Sequence, residues 1–161
     1  MGGEFEAGMT EVTLREYRPG DWEAMYTLDV ECFEPVFRFS RRVMRGFAEA
    51  PGAMTVLAEF AGKLVGFCVV QMEAQAGYVV TLDVAAAWRR QGLARRMMED
   101  VETKVRQAGG TGMALHVFPG NSGAMRFYEG MGYGRVARAE GFYGRGLDAL
   151  VYRKTFDGLG G

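Results

Sequence analysis

Histidine and cysteine are scarce in this sequence: one His and two Cys stand among 161 residues. The thiols, Cys32 and Cys68, lie far apart, with neither CxxC spacing nor the density of a disulfide-stapled secreted chain. Both read as reduced thiols of a cytoplasmic protein. One His and two distant Cys do not make a zinc set, so no metal is expected. Serine is limited to Ser40 and Ser122, and neither sits in G-x-S-x-G, which disfavours a serine hydrolase. No 18-residue apolar run and no basic, apolar, small-residue leader occurs, so neither a membrane span nor a signal peptide is expected. Excess charge is missing too: 19 Lys plus Arg against 20 Asp plus Glu leave a formal net charge of −1. That balance speaks against a general polyanion binder and against nucleic acid as partner, so any anion site must be local. There is no G-x-x-x-x-G-K-[ST], and no G-x-G-x-x-G follows a strand, which disfavours a nucleotide triphosphatase or a Rossmann oxidoreductase.

What is present suits one domain, large enough to bury a core, over about residues 10–157. The ends, "MGGEFEAG" before Met9 and "DGLGG" after Phe156, are Gly-rich and aperiodic. Residues 1–9 are therefore expected to be an unstructured extension, with Met9 an alternative native start, and 158–161 a tail. Between them, "VTLREY" alternates as a half-buried strand, and "RPGD" supplies a turn before a helix over Trp22–Cys32. Pro35 breaks "FEPVFRF", and Ser40 is placed to cap a second helix through Phe47. Two strands follow, joined by a hairpin around Ala61-Gly62-Lys63. Gly77–Val84 is a β-branched run suited to a central strand. Ala94, Met97, Met98, Val101, Val105 and Ala108 then recur at helical spacing, facing away from Arg95, Glu99, Glu102, Lys104 and Arg106. Gly109-Gly110 closes that helix, and Gly112–Phe118 is another strand. Asn121 or Ser122 opens a short helix through Met131. Two last strands, about 133–140 and 148–156, flank a Gly-rich loop. The order β-α-α-β-β-β-α-β-α-β-β, with strand–helix–strand units in its second half, predicts a mixed α/β sandwich around a central sheet.

The stretch "WRRQGLARRMM" from Trp88 poses the first chemical question. Gly92 and Ala94 fall where a strand hands over to a helix, so first-turn N–H groups lack intrahelical acceptors and small side chains let an anion approach them. The helix dipole and Arg89, Arg90, Arg95 and Arg96 add positive charge, so a phosphate or pyrophosphate is the natural guest. A plain alternative is a Gly-containing turn that starts a solvated helix. Trp88 has no assigned role.

Leu82-Asp83-Val84 followed by Arg89-x-x-Gly92-x-Ala94 resembles the L-x-V strand and [QR]-x-x-G-x-[GA] acyl-CoA pyrophosphate loop of the GNAT superfamily of N-acyltransferases. A second stretch, "NSGAMRFYEGMGY", is similar to that family's N-x-x-A-x-x-[FL]-Y-x-x-x-G-[FY] through Asn121, Ala124, Phe127, Tyr128, Gly132 and Tyr133. The resemblance covers about Val12 to Phe156. It implies a GNAT-type α/β (α+β) fold, with a central mixed, mostly antiparallel sheet flanked by helices. It also implies direct transfer of an acetyl group from acetyl-CoA to an amine, with no metal.

By that resemblance, Leu82, Val84, Arg89, Arg90, Gln91, Gly92, Leu93, Ala94 and Asn121 would hold acetyl-CoA. Gly92, Leu93 and Ala94 would act through backbone amides, and a backbone N–H of the strand ending at Val84 would polarise the thioester carbonyl. Tyr128 would contact the cofactor and protonate the departing thiolate, although Ala124, Phe127, Tyr128 and Met131 equally form a core stripe. Asn121 has an equally good structural explanation as a helix cap. His116 stands in "ALHVF", on a strand where related enzymes carry Glu; it is the candidate base, with Glu31, Glu73 and Asp83 behind it. Its alternative is a polar strand residue without a chemical task. Cys32 or Cys68 as an acyl-carrying nucleophile is a further option, with buried packing favoured for Cys68 in "VGFCVV".

The acceptor is read from two aromatic segments. Phe33, Pro35 and Phe37 after the first helix, and Phe142 and Tyr143 before "DALV", are similar to the branch that acetylates ribosomal-protein and other protein N-terminal amines. Core or loop packing explains the same aromatics. The expected substrate is a protein or peptide α-amine; the alternatives are a small-molecule amine such as a polyamine, amino acid or antibiotic, or a non-catalytic acyl-CoA sensor. Relatives suggest a monomer or a homodimer.

Overall fold

The structure, a computed structural model, describes residues 11–157. The extension and tail expected at residues 1–9 and 158–161 lie outside the described residues. The elements are β1 (Thr13–Glu16), α1 (Trp22–Cys32), α2 (Arg41–Ala48), β2 (Met54–Phe60), β3 (Lys63–Glu73), β4 (Ala76–Val84), α3 (Leu93–Gln107), β5 (Gly112–Val117), α4 (Ser122–Gly130), β6 (Gly134–Gly144) and β7 (Leu147–Thr155). Single 3-10 turns at Pro35–Phe37 and Ala86–Trp88 were not expected. The seven strands follow the order β1-β2-β3-β4-β5-β7-β6, so the expected element sequence and mixed sheet are both present. No helix among the described residues is long and apolar enough to cross a membrane.

The chain divides into two compact units. The first comprises residues up to Val70 together with Val80–Val101; the second comprises Gln71–Val79 and the chain from Glu102 onward. In the first, β1 pairs antiparallel with β2, and β2 with β3. The tight turn at Ala61-Gly62 has positive φ at both residues, 52° and 78°, as a two-residue hairpin of matching twist requires. Six consecutive buried residues in β3, Val65 to Val70, mark it as an interior strand. Met25 and Leu28 of α1, Met44 and Ala48 of α2, and Leu57, Phe67 and Val69 form one apolar cluster. Ser40 caps α2 as expected, its hydroxyl accepting from the Val43 N–H at 3.1 Å. The first half of α3 crosses β3 at Gly66, where a Cβ would come within 2.9 Å of the Met97 methyl and 3.0 Å of the Asp83 carbonyl.

In the second unit the parallel pairing of β4 with β5 registers Ala76–Tyr78 against Gly112–Ala114, as a crossover through α3 demands. Gly110 N–H returns to the Val105 carbonyl at 2.8 Å with Gly109 at φ 88°, which closes α3 as the Gly pair suggested. The second strand–helix–strand unit, β5-α4-β6, also has parallel strands, since each pairs antiparallel with β7, but they are not neighbours because β7 inserts between them. Ala149, Leu150 and Tyr152 of β7 are buried and claim the interior place, whereas β6 is exposed along nearly its whole length. Glu102 also departs from expectation. It was assigned to the polar face of α3, but only 6% of it is exposed. Its carboxylate accepts from Tyr133 Oη at 2.7 Å and pairs with Lys154 Nζ at 2.9 Å.

Candidate functional site

In the first unit, the chemistry-bearing segment is the connection from β4 to α3. Alternation along β4 turns Gly77, Val79, Thr81 and Asp83 to a buried face and leaves Leu82 and Val84 half-buried on the other. After the Ala86–Trp88 turn, Arg90 adopts φ 61° and Gly92 φ 85°, so the chain reverses before Leu93. Leu93 itself is buried and packs into the core. The first helical bond near this end runs from Arg96 N–H to the Gly92 carbonyl at 3.1 Å, so the preceding first-turn amides precede any i→i−4 acceptor. A Cβ on Gly92 would meet nothing within 4 Å, so an anion has room to approach these amides.

The loop's polar side chains divide their work in a way the sequence did not reveal. Arg89 Nε donates to the Val84 carbonyl at 3.0 Å, and Gln91 Nε2 donates to the Ala87 carbonyl at 3.0 Å, so both brace the loop. Arg96 reaches the Val12 carbonyl at 3.2 Å, and Arg95 lies 3.9 Å from Glu99. Arg90 has no hydrogen-bond or ion-pair partner among the described residues and is exposed. Trp88 packs against Phe60, with ring centroids 5.0 Å apart.

The Val84 carbonyl also accepts from Cys32 Sγ at 3.4 Å. Burial pushes the Cys32 thiol pKa up, the Asp83 charge adds to that, and Cys68 is fully buried, so neither thiol has the setting of a nucleophile. Phe33 and Phe37 are half-buried and Pro35 exposed; the segment carries its own hydrogen bonds, Phe37 N–H to the Glu34 carbonyl and Arg38 Nε to the Phe33 carbonyl.

The second unit holds the aromatic and acid–base groups. Asn121 Oδ1 accepts from the Ala124 N–H at 3.0 Å and so caps α4. Tyr128, two turns along, is buried, and its ring meets Phe127 and Tyr133 edge-on at 5.1 and 5.6 Å. His116 on β5 is half-buried, and its Nδ1 lies 2.8 Å from the hydroxyl of Tyr78 on β4. Burial drives the Tyr78 phenol up to about 12, so it stays protonated; its hydroxyl donates to Nδ1 in the Nε2–H tautomer of His116 and accepts from Nδ1–H in the other. Burial likewise holds the His116 pKa below its ordinary value, opposed by the charge of Glu73.

Phe142 and Tyr143 were expected in a Gly-rich loop, but they belong to β6, which runs on to Gly144. The β6–β7 register skips from Ala139 to Gly144. Asp148 holds this bulge, accepting from Gly141 N–H and from Arg138 Nε, each at 2.8 Å. The bulge lays Phe142 flat on His116, with centroids 3.9 Å apart and planes 7° off parallel. Tyr143 stands perpendicular to Phe142 at 5.0 Å and edge-on to Phe118 at 6.1 Å.

Tyr78 is the residue that sequence reading missed. Its signal was available: in a parallel β4–β5 pair with Tyr78 opposite Ala114, period-two alternation places Tyr78 and His116 on the same face. Of the other acids considered as bases, Glu31 and Glu73 are exposed and Asp83 points into the core. Among the described residues no group of three or more His, Cys, Asp or Glu is arranged to hold a metal ion.

Comparison with known proteins places these features in a family. The chain is 34% identical over 111 residues, 67% of its length, to the N-terminal acetyltransferase B complex catalytic subunit NAA20 of Arabidopsis thaliana. It spans 60% of that relative's length. Its fold matches the ribosomal-protein-S18-alanine N-acetyltransferase of Escherichia coli with a TM-score of 0.80 at 19% identity, covering 92% of this chain and 97% of the other. Arabidopsis thaliana Naa50 in complex with the bisubstrate analogue CoA-Ac-MVNAL gives a TM-score of 0.77 at 24% identity, covering 91% and 99%. Residues 22–133, which include both the Arg-rich turn and the Asn121-to-Tyr133 stretch, match the family model described as "Acetyltransferase (GNAT) family", and the chain belongs to that family.

Proposed function

We propose that this protein is an acetyl-CoA-dependent N-acetyltransferase whose acceptor is the α-amine of a protein or peptide. The observation that carries this reading is the Tyr78–His116 hydrogen bond under the Phe142 ring, an acid–base pair built beside exposed aromatic surface. The relatives support it: the NAA20 subunit is named for N-terminal acetylation, and Naa50 is complexed with an analogue that joins CoA to a peptide.

Acetyl-CoA, when bound, supplies a thioester that gives up its acetyl group to the amine and releases a thiolate. The chain's residues have the remaining tasks. Backbone amides of Gly92, Leu93 and Ala94 together with Arg90 bind the pyrophosphate, while Arg89 and Gln91 keep the loop in shape. Leu82 and Val84 line the pantetheine, the β4 backbone near Val84 offers an N–H to the carbonyl oxygen, and Asn121 orients the turn into α4. Tyr128 holds a proton at its phenol oxygen for the sulfur, whose thiol has an ordinary pKa near 8.5.

The acceptor ammonium must lose a proton, and an α-amine with a pKa of about 7.7–8.0 needs far less help than a Lys side chain near 10.4. In the Nε2–H tautomer, where the Tyr78 hydroxyl donates to Nδ1, His116 receives that proton through Tyr78: the phenol oxygen takes it as the Tyr78 hydrogen passes to Nδ1. The residues assigned to the peptide's first residues are Phe33, Pro35 and Phe37 of the first unit and, separately, Phe142 and Tyr143 of the second.

A panel of peptides, polyamines, aminoglycosides and free amino acids, followed by CoA release, tests the proposal. Peptides are expected to turn over; activity confined to the small amines would refute the peptide acceptor. CoA binding without turnover on the whole panel would show a sensor module instead.

A further inference from the structure

The Phe142 ring that covers His116 has little in its own strand to keep it there. It is 46% exposed, so apolar burial stabilises its placement far less than that of a core side chain. Ala139 of β6 pairs with Ala149 and Gly144 with Leu147, so the four residues 140–143 face the single residue Asp148 of β7. An ordinary bulge sets two residues against one; four against one leaves Glu140 to Tyr143 without cross-strand partners in that register. β6 is also the last strand in the order of the sheet, so no further strand of the described residues pairs with its other side.

What spans the gap is one carboxylate. Asp148 Oδ1 accepts from Gly141 N–H and Oδ2 accepts from Arg138 Nε, each at 2.8 Å. The first bond fixes the residue directly before Phe142, at a φ of 62° that glycine adopts without strain. The second ties the strand on the near side of the bulge. Both bonds, the one from Gly141 most, hold the Asp148 pKa below its ordinary 3.8, so the group is an ionised acceptor at neutral pH.

We propose that Asp148 is a positioning residue for the base: through the Gly141 backbone it sets the bulge that keeps Phe142 stacked on His116. That His116 is the base rests on the function proposed above; the placement of the ring does not depend on it. The ring, 3.9 Å away and 7° off parallel, shields one face of the imidazole from water. Burial is the main cause of the lowered His116 pKa, so releasing the ring returns that pKa toward 6.5. The other groups about His116 are the Tyr78 hydroxyl from β4, Glu73 at the end of β3, whose charge opposes the lowering, Tyr143 beside Phe142 on β6, and the apolar Val151 opposite it on β7. Asp148 hydrogen-bonds to none of these, which leaves the bulge as its path to the imidazole.

Proton NMR of the whole protein tests the link without any turnover, because His116 is the only histidine and its carbon-bound ring protons are unambiguous. In the wild type these signals are expected to be displaced upfield by the Phe142 ring and to titrate below 6.5. Asp148→Ala should abolish the displacement and raise the titration midpoint, as Phe142→Ala does. Asp148→Asn retains an oxygen for Gly141 and should keep both wild-type features; their loss in that variant as well would overturn the Gly141 bond as the link. The Asp148→Ala/Phe142→Ala double variant should titrate like Phe142→Ala alone, since residues acting through one another are not additive. Wild-type signals in Asp148→Ala, or a further shift in the double variant, would overturn the positioning role. Should Asp148→Ala not fold, hydrogen exchange of the wild-type Gly141 amide decides: it is expected to be at least about tenfold slower than in an unstructured chain, and exchange at the unstructured rate would overturn the proposal. In peptide acetylation the acid limb of kcat/KM should move up with the NMR midpoint, with a loss of about twofold at pH 6 in Asp148→Ala. A moved NMR midpoint with an unmoved limb would count against His116 as the base while confirming that Asp148 places the ring.

Discussion

The two units treat buried charge in opposite ways. In the second, Glu102 sits in the interior with Lys154 and Tyr133 on its two oxygens, so a charge is matched by a charge and a hydrogen bond. In the first, Asp83 accepts a hydrogen bond from Thr81 and has another acid near it, while Arg90, just before α3, is exposed and has no hydrogen-bond or ion-pair partner among the described residues. A matched ion needs nothing further, whereas an unmatched acid or cation is a place where a proton or an anion belongs. Fixed structure lies on the Glu102 side of that contrast, and the proposed anion site lies on the other.

The largest expected effect tests the matched side. Glu102→Ala strands the Lys154 ammonium and the Tyr133 hydroxyl, and urea unfolding should show a loss of about 3 kcal/mol. Next is the unmatched cationic end. Gly92→Glu puts a carboxylate among the first-turn amides and forces a side chain onto φ 85°, so isothermal titration with acetyl-CoA should show affinity at least about tenfold weaker in a folded protein. Unchanged affinity would remove the loop from the cofactor site. The smallest effect concerns His116, the proposed base, whose pKa burial lowers. Phe142→Ala strips the ring stacked on it, so its lowered pKa rises toward the ordinary 6.5. The acid limb of kcat/KM should move to higher pH, with a loss of about two- to threefold at pH 6. An unmoved limb would detach His116 from the proton path.

Much of the architecture was legible because it rests on local rules. Ser40, Gly109-Gly110 and the Ala61-Gly62 turn marked element ends, and the apolar spacing from Ala94 to Val105 marked α3. Glu102 escaped because its partners, Tyr133 and Lys154, arrive from distant strands, and helical spacing alone cannot show a buried acid that is paired elsewhere. Phe142 and Tyr143 were misplaced for a related reason: Gly141, Gly144 and Gly146 look like a loop, yet Asp148 holds them in an extended bulge. At the candidate site the motif residues were readable, whereas their division of labour was not. Whether Arg89 or Arg90 faces an anion depends on which guanidinium the Val84 carbonyl captures, and Tyr78 gained significance only through its register against β5.

The bulged strand β6 has a consequence for the behaviour of the protein at high concentration. It is the last strand of the sheet, exposed on nearly all its residues, and Val136 is 57% accessible. A flat, apolar edge of that length would invite strands of other molecules to add to it. Two register breaks and the flanking arginines 135 and 138 interrupt the row of free N–H and C=O groups. The irregularity that presents Phe142 to His116 also guards the edge against aggregation, so straightening this strand would sacrifice solubility along with aromatic placement.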